Sequence, residues 1–83
     1  MHEILQIDEK NRATLEVYVE IGDSGESITE HILKVYNELK DKYEDVTLQI
    51  FSDSPSCKEL ADSIRNDLNQ KVEGINVIGL GYL

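Results

Sequence analysis

The fold is decided by residues 13–21, which read ATLEVYVEI. The odd-numbered positions from Ala13 to Ile21 are apolar, and the positions between them are threonine, tyrosine or glutamate. A period of two is typical of a β-strand that has one face buried and one face in water. We therefore predict a half-buried strand over residues 13–21.

The segments on either side predict three further strands. Residues 3–7 form a shorter apolar run, and the polar residues 8–12 that follow are long enough for a hairpin connection, so the first two strands should pair antiparallel. Residues 46–51 alternate again. Residues 75–83 close the chain as a last strand, which Gly79 and Gly81 weaken.

Two amphipathic helices separate these strands. Ser27 and Glu30 have the spacing of a capping box, so we expect a helix from Ser27 to about Lys42. Ser54 followed by Pro55 is typical of a second helix start. Apolar residues recur every three or four positions in both segments: Ile28, Ile32, Val35, Tyr36, Leu39 and Tyr43 in the first, and Cys57, Leu60, Ala61, Ile64, Leu68 and Val72 in the second.

The element order is ββαβαβ, which belongs to the α+β or α/β class. Each strand–helix–strand passage should be a right-handed crossover between parallel strands. Strands covered on both faces would be apolar throughout, but the second and third strands alternate, so both helices should lie on one face. We predict a single domain over residues 1–83: a two-layer sandwich with a four-stranded mixed sheet in the order 1-2-3-4, strand 1 antiparallel at the edge.

The charge of the chain limits its partners. Seventeen acidic against eight basic residues give a net charge of −9, which repels phosphate backbones, so we expect no direct nucleic-acid binding. The charge can serve solubility, attract a basic partner or imitate nucleic acid. No apolar stretch approaches the roughly 20 residues needed to cross a bilayer, and the N-terminus lacks a basic region followed by an apolar run, so we expect a cytoplasmic protein with no membrane partner.

Few residues suggest catalysis. Cys57 would lie in the first turn of the second helix, where a nucleophile can be activated, but it also falls on the apolar stripe and has no histidine nearby. We interpret it as a core residue. His2 and His31 have no partners at metal-ligand spacing. We therefore predict no catalytic residue, no cofactor and no metal site.

The remaining signal is the sheet face opposite the helices. Its apolar and aromatic side chains should form a contiguous exposed patch, and such a patch is characteristic of a protein interface. The predicted interface residues are Tyr18, Phe51, Ile78, Leu80 and Tyr82. The alternative is that the hydrophobic C-terminus folds over this face and covers it.

Three functions are consistent with these patterns. The leading hypothesis is a non-enzymatic protein-interaction domain that self-associates or binds a protein partner through the open sheet face. The second is an acidic inhibitor, in the manner of some small virus-encoded proteins, that occupies the basic groove of a nucleic-acid-binding protein. The third is a small-ligand binder or enzyme that uses the loops Asp23–Ser27 and Ser52–Cys57, which should meet at the carboxyl ends of adjacent parallel strands.

Overall fold

The computed structural model of this chain describes the backbone of residues 1–82 and the side chains of residues 1–78. Its strands are β1 (His2–Ile7), β2 (Arg12–Val19), β3 (Asp45–Ser52) and β4 (Asn76–Tyr82). Its helices are α1 (Gly25–Lys42) and α2 (Lys58–Lys71), and a 3-10 turn over Pro55–Cys57 precedes α2. The order ββαβαβ is as predicted.

The predicted sheet is confirmed. The strands lie in the order β1-β2-β3-β4. The β1 strand pairs antiparallel with β2, whereas β2, β3 and β4 are mutually parallel. This order lets both right-handed crossovers place their helices on the same side of the sheet.

The core lies between the helices and one face of the sheet. The odd-numbered residues of β2 and the even-numbered residues of β3 are all 6% exposed or less. They form one apolar cluster with the inward stripes of both helices: Ile28, Ile32, Tyr36 and Leu39 from α1, and Ala61, Ile64 and Leu68 from α2. Most of the predicted stripe residues are therefore buried, and the other four, Val35, Tyr43, Leu60 and Val72, are partly buried against this cluster.

The start of α1 differs from the prediction. Ser24, and not Ser27, is the N-cap, and its side chain accepts a hydrogen bond from the backbone N–H of Ser27 at 3.4 Å. The helix thus begins one turn earlier, at Gly25. A Cβ atom on Gly25 would lie 3.1 Å from Cδ1 of Leu60, so the absence of a side chain allows the two helices to approach closely there.

The end of β2 also differs. The alternation was expected to continue to Ile21, but β2 ends at Val19 and Ile21 is 76% exposed. The chain turns at this point because the N–H of Asp23 donates to the carbonyl of Glu20 at 3.2 Å and Gly22 has a φ of 90°. A positive φ at the third residue is the mark of a type II turn, which Gly22 makes accessible.

The pairing of β3 with β4 contains a register shift between Ile50 and Ser52. Arg65 of α2 lies above this shift. Its guanidinium Nη1 donates to the carbonyl of Ile50 at 2.9 Å, and its other nitrogen pairs with Asp62. A side chain of the second helix thus bonds the sheet backbone where the strand ladder is irregular.

The hairpin between β1 and β2 is regular. Asp8 holds its loop: one carboxylate oxygen accepts the backbone N–H groups of Lys10 and Arg12, and the other accepts Nε of Arg12 at 2.6 Å. Asn11 takes a φ of 61°, a conformation that asparagine tolerates better than most residues. These contacts fix the register of β1 against β2.

Candidate surface for protein binding

The face of the sheet opposite the helices is built from alternate residues of all four strands, and we call it the open face. The register brings its side chains together in rows across the sheet: His2, Ile4 and Gln6 of β1, Arg12, Thr14, Glu16 and Tyr18 of β2, Asp45, Thr47, Gln49 and Phe51 of β3, and Asn76 and Ile78 of β4. No helix or strand within residues 1–82 covers this face.

Three rings form a stack at one end of the open face. The His2 and Tyr18 rings lie 4.6 Å apart with planes 5° from parallel, and the Tyr18 and Phe51 rings lie 4.9 Å apart at 14°. The stack crosses β1, β2 and β3 because these residues are register partners. Desolvation, together with the nearby Glu16 carboxylate, raises the pKa of Tyr18.

The predicted interface residues differ in their exposure. Tyr18 is half-buried in the ring stack, and Ile78 is 37% exposed. Phe51 was expected to be exposed, and that expectation is wrong because Phe51 is 4% exposed. The side chains of Leu80 and Tyr82 lie outside the described residues. Among the predicted interface residues whose side chains are described, Tyr18 and Ile78 are thus the two that are exposed enough to contact a partner.

The open face carries little charge. Of the thirteen side chains that form its rows, Glu16 and Asp45 are the two carboxylates, in a chain that has 17 acidic residues, and Arg12 is the register partner of Asp45. Hydroxyl and amide groups dominate the centre, where Nδ2 of Asn76 donates to Oγ1 of Thr47 at 3.0 Å. A surface with few charges beside aromatic and amide groups resembles the composition of protein interfaces.

Of the two loops that the ligand hypothesis uses, residues 52–57 are bonded to the end of β2, four residues before the loop of residues 23–27 begins. The N–H of Asp53 donates to the carbonyl of Val19 at 2.9 Å, which joins the end of β3 to the end of β2. The Asp23 carboxylate is already engaged: it accepts the N–H of Glu20 at 2.7 Å and contacts the Met1 ammonium at 3.0 Å. A hydrogen bond to the Glu20 carboxylate raises the pKa of the Met1 ammonium most, and a hydrogen bond to the Asp23 carboxylate raises it further. The carboxylates of Glu20 and Asp23 are therefore bonded to other groups of the same chain.

Cys57 lies in the core. It is 3% exposed and belongs to the same apolar cluster as the helix stripes. Its sulfur lies 3.6 Å from Oγ of Ser54. Burial among apolar side chains is the environment expected of a structural cysteine.

Within the described part of the chain, no group of three or more histidine, cysteine, aspartate or glutamate side chains is arranged to hold a metal ion. Neither described helix is long and apolar enough to cross a membrane.

The sequence pattern did not single out β1, although its apolar residues are the most exposed ones among the sheet side chains of residues 1–78. Ile4, Leu5 and Ile7 are 45%, 46% and 44% exposed. Leu5 and Ile7 point to the same side as the helices, because they are register partners of the buried residues Leu15 and Ala13. The exposure of β1 depends on where the helices lie across the sheet, which the sequence pattern does not give. The two helices lie over β2, β3 and β4 and leave β1 uncovered.

Comparison of the chain with protein-family models, with curated proteins and with solved structures finds no match. The geometry of the described residues is therefore the basis for the function considered next.

Proposed function

We propose that this chain is a non-enzymatic protein-interaction domain that binds a protein partner through the open face. The observation that supports this proposal is a sheet face that both helices leave uncovered and whose rows carry two carboxylates and one arginine, in a chain of net charge −9. A face used for solubility alone would be expected to share the acidic character of the remaining surface.

The side chains of the open face indicate which groups a partner should present to it. Ile78 and the Tyr18 ring offer apolar contact, while Gln49, Thr14 and Thr47 offer hydrogen-bonding groups between them. The partner should therefore present apolar side chains with polar groups around them. Because the chain carries a net charge of −9, a basic rim on the partner would be attracted and would bind faster at low ionic strength.

The experiment compares two substitutions of the same type at different places. Gln49 is half-buried at the centre of the open face, and Gln70 is exposed on α2. Gln49→Lys introduces a charge that a partner must desolvate, whereas Gln70→Lys changes the net charge equally but lies on the helix side. Proteins crosslinked to the wild-type chain in native extract would be identified, purified and titrated against all three chains.

The proposal requires a purified partner whose affinity for Gln49→Lys falls by roughly tenfold or more, a loss of about 1.4 kcal/mol, while its affinity for Gln70→Lys is unchanged. Equal affinity for all three chains would overturn it. A partner that ignores Gln49→Lys and dissociates steeply with added salt would instead support the acidic inhibitor.

A further inference from the structure

The outer edge of β1 is an unpaired strand edge. At the hairpin, the N–H of Asp8 donates to the carbonyl of Arg12 at 3.0 Å. Hydrogen-bonded and non-hydrogen-bonded pairs alternate along an antiparallel ladder, so Gln6 and Ile4 also bond to β2. The N–H and carbonyl groups of Glu3, Leu5 and Ile7 then point away from the sheet, and no described strand pairs with them.

This edge lacks the features that usually prevent strand pairing. Natural sheets protect an edge with lysine, proline, a bulge or a covering element. The segment His2–Ile7 contains no lysine or proline, and its register with β2 runs without a shift. All six of its residues are exposed, including Ile4, Leu5 and Ile7.

The β1 edge is also weakly charged. Its one carboxylate, Glu3, lies 2.8 Å from Nε2 of His31 on α1. Two copies of a chain with a charge of −9 repel each other over most of their surface. At β1 they can approach with the least repulsion between neighbouring groups.

We propose that β1 pairs antiparallel with β1 of a second copy of this chain, about a two-fold axis at Leu5. This dimer contact is separate from the open face, so the two proposals can fail independently. In this register Leu5 is opposite Leu5 of the second copy, and Glu3 is opposite its Ile7. Each such pair exchanges two backbone hydrogen bonds, so the three pairs add about six.

The same register is compatible with the side chains. Leu5 and Ile7 of both copies form one apolar group on the helix side, and Ile4 lies opposite Gln6 on the open face. His2 lies opposite Asp8, so no two like charges are directly opposed. The two-fold axis is perpendicular to the sheet, so both pairs of helices lie on one side and the two open faces join into one surface.

The charge of the chain gives this dimer an unusual salt dependence. Because the contact is made by apolar groups and backbone hydrogen bonds while both copies carry −9, added salt screens repulsion and should strengthen association. Association with a basic partner should show the opposite sign.

The test is sedimentation equilibrium of the wild-type chain and of two lysine variants over a range of protein and salt concentrations. Leu5→Lys places two like charges opposite each other at the two-fold axis. Gln70→Lys makes the same change of charge at an exposed residue of α2, the helix that packs against β3 and β4. Circular dichroism would verify that each variant is folded.

The expected result is a wild-type monomer–dimer equilibrium that salt strengthens, unchanged in Gln70→Lys and weakened roughly tenfold or more in Leu5→Lys, since like charges opposed across strands are destabilising. If Leu5→Lys fails to fold, Leu5→Thr tests the same contact without a charge and should also weaken it. A wild-type chain that is monomeric throughout, a dimer that salt weakens, or a dimer that persists in the folded Leu5 variant would overturn the proposal.

Discussion

Leu5 and Leu15 are the same residue type at opposed positions of one hairpin, yet their environments differ. They are register partners and point to the same side of the sheet. Leu15 is 2% exposed beneath the helices, whereas Leu5 is 46% exposed. The difference shows that two helices pack over three strands of this sheet, and that β1 is held by its hairpin and its backbone hydrogen bonds.

This comparison separates two kinds of contribution from apolar residues. On β2 they stabilise the monomer by burial, while on β1 they contribute little to it and are free for contact with another chain. The predictions below test that division, beginning with the largest expected effect.

The largest effect should come from Leu15→Ala. Truncation of a fully buried leucine leaves a cavity and costs about 2–5 kcal/mol of unfolding free energy. The measurement is chemical denaturation at a protein concentration low enough to keep the chain monomeric. A cost under about 0.5 kcal/mol, as at a surface site, would mean that β2 does not lie under the helices as described.

A smaller loss of unfolding free energy is expected for Arg65→Met. This variant tests the pairing of β3 with β4, at the other edge of the sheet from β1. The methionine keeps the apolar stem but removes the hydrogen bond to the carbonyl of Ile50. Loss of a charged donor to a part-buried carbonyl should cost about 1–3 kcal/mol. Arg12→Met is the control, because Arg12 is exposed and its ion pair with Asp8 should contribute about 0–1 kcal/mol. Equal effects in thermal or chemical denaturation would show that the Arg65 contact does not stabilise the β3–β4 pairing.

Leu5→Ala should cost less than about 1 kcal/mol in the same monomeric conditions, because half of its side chain already contacts water. Its effect should appear at high protein concentration, where the wild-type chain gains stability from association and the variant does not. If Leu5→Ala lowered the unfolding free energy of the monomer as much as Leu15→Ala does, β1 would belong to the core.

Much of this architecture follows from local patterns in the sequence. The period of two in β2 and β3, the spacing of the helix stripes and the hairpin length were sufficient to give the order, the direction and the sidedness of the elements. The start of the first helix was predicted wrongly because Ser24 and Ser27 are both suitable N-caps. Local sequence does not show that a turn at Gly22 leaves Ile21 in water.

The surfaces were less predictable than the core. Exposure of Phe51 was inferred from parity alone, which ignores what packs beside a side chain, and the ring stack with Tyr18 already takes up one of its faces. The uncovered edge at β1 depends on where the helices sit across the sheet. No periodicity encodes that position, so Leu5 could not be told apart from Leu15.

The smallest effect concerns the hairpin that holds β1. The hydrogen bond from the backbone N–H of Arg12, with further support from its side chain, lowers the pKa of Asp8 below its ordinary value of 3.8. A carboxyl with a lowered folded-state pKa stabilises the fold above its unfolded pKa and loses that contribution as the pH falls through the folded value. Asp8→Asn should therefore reduce Tm slightly at pH 6, and this difference should disappear as the pH falls below 3.8. A difference that is constant over this range would mean that the charge of Asp8 is not involved.

Amide hydrogen exchange by NMR at Leu5 and Gln6 is the most direct test of the uncovered edge and its occupant. In the monomer the N–H of Gln6 bonds to β2 and that of Leu5 faces solvent. The account predicts that Gln6 is protected at every protein concentration, whereas Leu5 exchanges rapidly in dilute solution and becomes protected as the concentration or the salt is raised. Rapid exchange at Leu5 under all conditions would contradict pairing with a second copy, and protection of Leu5 in the dilute monomer would contradict the free edge itself.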